Sequence, residues 1–106
     1  MKVTYREAAR DDVIRQYRYY LVSLDLPRVA LRFREAVRQT AKAISQQPRL
    51  APLYPLRNSQ LPNLRSWPVT GFEAIRIYFL LEKDTMQVIR ILHSKRNVSA
   101  ILEREG

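Results

Sequence analysis

A chain of 106 residues, 46% hydrophobic and with only two glycines, has the make-up of one folded domain rather than a disordered segment. The absence of cysteine excludes disulfides, a thiol nucleophile and cysteine-based zinc sites, and fits a reducing compartment. The formal net charge is +9 with a pI near 10.5, so an anionic partner is expected, either nucleic acid or an acidic protein segment.

The N-terminus carries Lys2, Arg6, Glu7, Arg10, Asp11 and Asp12 with no apolar run between them, which does not read as a signal peptide. No stretch approaches the ~20 apolar residues of a membrane span. The expected location is cytoplasmic, with no membrane partner.

Lys2 to Tyr5 reads as a short strand. Ala8 to Leu24 reads as a helix, because Ala9, Val13, Tyr17, Tyr20 and Leu24 recur at spacings of three and four. The tyrosines Tyr5, Tyr17, Tyr19 and Tyr20 are expected in the core and its rim. A second helix starts near Pro27, with Asp25 as its expected cap, and Pro48 ends it. Leu26, Ala30, Phe33, Val37, Thr40, Ala41 and Ile44 mark its buried face. The short link between the two helices predicts an antiparallel hairpin.

Residues 49–63 are broken repeatedly by proline and read as a loop that packs on the body through its leucines. Three strands follow, over 64–69, 72–82 and 86–93, with Lys83, Asp84 and Thr85 as the turn between the last two. Ile75, Ile77, Phe79 and Leu81 share one face of the middle strand. Ile89, Ile91 and His93 are expected to alternate onto one face of the last. Residues 97–104 read as a short helix capped by Asn97.

The fold class expected is therefore α+β, in a single domain over residues 1–106. An antiparallel sheet, made of the short N-terminal strand and a three-stranded C-terminal meander, packs against an N-terminal helical hairpin, with a short C-terminal helix. The other sheet face is then solvated or binds something.

Positions Arg76, Tyr78, Arg90 and Leu92 fall on that second face. Arg65, Arg76 and Arg90 are expected to cluster there, with Trp67 and Tyr78 as aromatic neighbours, which is what phosphate contact and base stacking require. The alternative is that these arginines are solvated or pair with Glu73 and Glu82. His93, the single histidine, reads either as a general acid or base or as a strand-end residue that bonds the backbone. No metal-ligand spacing, GxSxG, P-loop or GxGxxG pattern is present, so no metal and no cofactor is expected.

The helical hairpin, Leu64-Arg65, the strand Ala74-Ile75-Arg76-Ile77-Tyr78, and Val88-Ile89-Arg90-Ile91-Leu92-His93 followed by Lys95-Arg96-Asn97 together resemble the RelE/ParE toxin superfamily. The resemblance covers nearly the whole chain. It implies the toxin of a type II toxin–antitoxin pair, active in growth inhibition or plasmid maintenance and neutralised by a cognate antitoxin. RelE-like members of this family cleave mRNA on the ribosome with basic residues and, in many cases, a C-terminal tyrosine; ParE-like members poison DNA gyrase. Here no tyrosine follows Tyr78, and the tail is similar to the ParE branch.

The leading expectation is a binding inhibitor of DNA gyrase that contacts its target, or nucleic acid, through Arg65, Trp67, Arg76, Arg90, Lys95 and Arg96. Its antitoxin would present an acidic amphipathic segment. The alternative is a ribosome-dependent mRNA endonuclease with His93, Arg65, Arg76 and Arg96 as catalytic candidates. A plain nucleic-acid-binding module is a third class, without a helix-turn-helix or RNA-binding signature to support it.

Overall fold

The computed structural model describes residues 1–106. Lys2–Tyr5 forms the first strand, β1, and the extended backbone of Arg6 turns the chain into helix α1, Glu7–Arg18. The helix expected to reach Leu24 stops at Arg18. It passes into a five-residue π-helical turn, Tyr19–Ser23, closed by the Leu24 N–H on the Tyr19 carbonyl at 3.1 Å. A π turn holds an extra residue and so shifts the phase of the side chains. Tyr20 points inward, with ring centroids 5.5 Å from Phe33 and 5.8 Å from Phe72. Tyr19 is left 48% exposed at the rim, its ring centroid 5.9 Å from that of Tyr20.

Helix α2 spans Pro27–Ile44, with proline at its first turn and Ala30, Phe33, Val37, Thr40, Ala41 and Ile44 buried. Asp25 does not cap it. Asp25 adopts a left-handed φ of 52°, which makes the tight link, and the capping position falls on Leu26 without a side-chain bond. Leu26, expected on the buried face, is exposed for the same reason: it lies in the link and not on the helix.

The strands β2 (Arg65–Val69), β3 (Phe72–Glu82) and β4 (Thr85–His93) form the expected meander, in the sheet order β1-β4-β3-β2. The sheet is mixed and not wholly antiparallel. β1 runs parallel to β4, from Lys2 opposite Thr85 to Tyr5 opposite Val88. A four-residue strand carries no signal for its direction; the crossover through two helices decides it.

Two cores lie on the two faces of this sheet. The helix-side core combines Phe33, Val37, Ala41 and Ile44 with Val69, Ile75, Ile77, Phe79, Met86, Val88 and Ile91. The opposite face, expected to be solvated or to bind something, is covered by the chain itself. Tyr78, Leu80, Ile89 and Leu92 pack there against Leu61 and Leu64 of the long loop and Leu102 of helix α3, Val98–Glu103. The expected alternation of Ile89 with Ile91 is broken by a β-bulge. Tyr78 stands opposite Arg90 and Phe79 opposite Val88, so Ile89 is the extra residue and turns to the second core.

The cover of the second face is held by specific bonds. The Asn97 side chain caps α3. The Tyr54 hydroxyl lies 2.7 Å from that of Ser99, and the Glu103 carboxylate accepts the backbone N–H groups of Arg57 and Asn58 at 3.0 and 2.8 Å. The loop also lies along the outer edge of β2, where Ser66 N–H bonds the Pro52 carbonyl at 3.1 Å and Tyr54 N–H bonds that of Leu64 at 2.7 Å. No helix is long and apolar enough to cross a membrane.

Leu102 is fully buried in this second core. Leu102→Ala is expected to destabilise the fold by about 2–5 kcal/mol, measured by urea denaturation. A loss below ~1 kcal/mol would mean that α3 does not seal the face.

Candidate functional site

Arg90 leaves the β-bulge at a point where β4 no longer has β1 beside it. Asp12 of α1 takes the missing strand's place. Its carboxylate accepts Arg90 Nε at 2.7 Å, Arg90 Nη2 at 2.8 Å and the Ile91 backbone N–H at 2.9 Å. Glu105 of the C-terminal tail grips Nη1 of the same guanidinium. The Asp12 side chain is 1% exposed and that of Arg90 13%. The hydrogen bonds to Asp12 hold the Arg90 guanidinium well above its ordinary pKa against the opposing effect of burial, with Glu105 adding to the rise. Arg90 is therefore held in a structural ion pair with Asp12 and Glu105, in place of the expected contact cluster or a pair with Glu73 or Glu82.

Arg76 lies on the second face. Its Nε and Nη2 donate to the buried Ser66 hydroxyl at 3.2 and 3.0 Å, and no carboxylate pairs with it. Burial pushes the neighbouring Tyr78 phenol up from its usual 10.0, Tyr54 adds to the rise and Arg76 opposes it.

Arg65 and Trp67 are on the other face. Arg65 stands opposite Phe79 and Trp67 opposite Ile77, both residues of the helix-side core. Arg65 Nη1 donates to the carbonyls of Ala51 at 2.7 Å and Arg49 at 3.4 Å and so anchors the loop after α2. The expected cluster of Arg65, Arg76 and Arg90 thus does not form, because neighbouring β2 residues alternate between faces and Arg90 is spent on Asp12.

His93 stands opposite Ile75, also on the helix side. Its Nδ1 accepts the Lys95 backbone N–H at 3.0 Å and shapes the turn at the end of β4. Lys95 and Arg96 project from that turn into solvent. Arg65 and His93 share a face but are four residues apart along β3 and two strands apart across it, about 13 Å by 10 Å. No group of three or more histidine, aspartate and glutamate side chains converges to hold a metal.

One feature escaped the sequence reading. A groove of about 490 Å³ runs between the helices, with Tyr5, Val13 and Ile14 as apolar lining and Arg10, Arg34 and Arg38 among its cations. Arg38 is bonded to Glu35 at 2.8 Å, and that contact holds the Glu35 carboxyl below its usual range. Arg34 sits 5.2 Å from the centroid of the Tyr17 ring. Ile14 at the groove is exposed, as are Leu21, Val22 and Leu31 nearer the hairpin tip. The available signal was Arg34 and Arg38 one turn apart, facing a helix with Arg10 and Ile14 at the same spacing.

The family described as "ParE toxin of type II toxin-antitoxin system, parDE" matches residues 3–98 of this sequence. No curated protein matches it by sequence. Among solved structures, the chromosomal ParDE toxin–antitoxin system from P. aeruginosa has a similar fold. The TM-score is 0.68 at 22% identity, covering 88% of this chain and 95% of that one.

Removing one partner of a buried pair strands the other, so Asp12→Ala should cost about 3–5 kcal/mol in urea denaturation; a loss near zero would deny the pair its structural role. Burial also raises the Tyr5 phenol above 10.0. With both folded pKa values raised, the unfolded chain deprotonates first. These tyrosines then favour neither state below about pH 10, and stability falls as pH rises beyond it. Thermal melts between about pH 9 and 11 should record that fall, and Tyr78→Phe should lessen it.

Proposed function

The chain belongs to the ParE toxin family of type II toxin–antitoxin systems, and from that premise we propose that it stops growth in the cytoplasm by binding and inhibiting DNA gyrase, with a cognate antitoxin to neutralise it. The observation that supports binding over cleavage is the separation of the nuclease candidates. Arg76 is on one face of the sheet; Arg65 and His93 are on the other, at opposite corners, and of the four candidates only Arg96, in the turn after His93, lies close to that histidine. Acid–base chemistry on one phosphate needs its donor and acceptor within hydrogen-bond reach of the same atoms. No tyrosine lies C-terminal to Tyr78 to replace them.

The exposed turn with Lys95 and Arg96, next to the unpaired Arg76 face, is the surface left for the target. Charges in such positions steer association and fix orientation more than they add raw affinity. Arg65 and Arg90 act from behind, by holding the loop and the strand in place.

The antitoxin's seat, in this reading, is the groove between α1 and α2. Its apolar lining and its rim of Arg10 and Arg34 suit an acidic amphipathic segment, which would bury Ile14 and pair with the arginines together.

Purified toxin should abolish gyrase supercoiling at near-stoichiometric amounts. The Lys95→Ala/Arg96→Ala double variant should need roughly an order of magnitude more. Full inhibition by that variant would remove the tail from the contact. Cut transcripts in a translating extract, with gyrase unaffected, would replace this reading with ribosome-dependent mRNA cleavage. Ile14→Asp/Arg34→Glu should still inhibit gyrase but escape neutralisation by the antitoxin; continued neutralisation would place the antitoxin elsewhere.

A further inference from the structure

Between Ala36 and Phe72 the chain has no carboxylate. Of the cations in that stretch, Arg38 is paired with Glu35, and Arg57 lies beside the Glu103 carboxylate that accepts its backbone N–H. Lys42, Arg49 and Arg65 have no acidic partner. Arg49 and Arg65 border an apolar patch just past the C-terminal end of α2, whose last turn carries Lys42, on the helix side of the sheet. Leu50 is 63% exposed and Leu53 52%. Beside them Trp67, itself half-buried, lines a cleft of about 250 Å³ with Ala43, Ile44 and Leu50.

The leucines are held in place. Pro48 opens a short 3-10 turn that carries Arg49 and Leu50. Arg65 bonds the carbonyls on both sides of Leu50, and Leu53 is bridged to Arg65 on the edge of β2. The patch is therefore rigid before any partner arrives, which lowers the ordering cost of binding. Two exposed leucines around a tryptophan-lined cleft, rimmed by cations, have the composition of an interaction site.

We propose that this patch is a second docking surface for the toxin's target, and that it takes an acidic protein segment which inserts an apolar side chain beside Trp67. The inference rests on the gyrase reading above. A nucleic acid would satisfy Arg49 and Lys42 but leave Leu50, Leu53 and the cleft uncovered; only a protein covers both. The surface shares no lining residue with the groove between α1 and α2, so the antitoxin seated there leaves it open.

The test uses purified gyrase holoenzyme and three toxin variants: Leu50→Asp/Leu53→Asp, the milder Leu50→Ala/Leu53→Ala, and Arg49→Glu. All three replace exposed side chains, and thermal melting checks that each is folded. The aspartate pair and Arg49→Glu should each raise the half-inhibitory concentration in a supercoiling assay by about tenfold, and the alanine pair by less. Retention of naked linear DNA by the leucine variants should match wild type. Unchanged inhibition by the leucine variants, with wild type active, overturns the docking surface and leaves the gyrase reading intact. Loss with Arg49→Glu alone, together with weaker DNA retention, makes the patch a nucleic-acid contact and overturns the proposal. Wild-type inhibition by a leucine variant that persists once antitoxin is added assigns the patch to the antitoxin and overturns the proposal. No gyrase inhibition by the wild type removes the target reading itself, and this surface with it.

Discussion

Arg90 joins three parts of the chain that lie far apart in sequence. Its guanidinium is clamped between Asp12 on the first helix and Glu105 in the C-terminal tail, and the same aspartate satisfies the Ile91 backbone N–H. That N–H would otherwise be an unpaired donor on a strand that outruns its neighbour β1. A buried ion pair of this kind gains little over a well-packed apolar contact, yet breaking it is costly. It fixes the seat of α1, and with it the groove between α1 and α2. It also ties down the tail that follows α3, and so helps to keep the second sheet face closed.

The closing of that face decides what the basic residues can do. A bulge at Ile89 and a cover made of the long loop and α3 make a second core of the face that the strand pattern gives to arginines. Arg76 stays at its margin, held by Ser66. Arg65 and Trp67 are carried to the opposite face by the alternation of β2. Arg76 on one face and Arg65 and His93 on the other are thus spread over the sheet and not gathered on it. A rim of cations beside apolar patches is suited to gripping other proteins.

Charge is handled asymmetrically. Most carboxylates that form bonds are used within the fold: Asp12, Glu105 and Glu103 as ties, and Glu35 against Arg38. The arginines outnumber them and face outward on α1, α2 and the turn after β4. The excess of +9 is therefore concentrated at surfaces, where it attracts acidic partners over distances of about a Debye length.

The sequence by itself determined the elements and the family. Period-3.6 and period-2 patterns locate α2, β3 and β4 because each buries one regular face, and the breaker residues Pro27 and Pro48 bound α2. The order of those elements, with Leu64-Arg65 and the His93-to-Asn97 tail, was enough to identify the toxin family. Tertiary structure alone decided the rest. Whether β1 runs parallel or antiparallel, whether Ile89 faces one core or the other, and which arginines are free all depend on contacts between residues up to 79 positions apart. A single bulge inverts the face of every residue on one side of it. A π turn does the same to Tyr19 and Tyr20. Local patterns report which side chains want burial. They do not report which of two apolar faces a shifted register will offer, nor which arginine a distant carboxylate will claim.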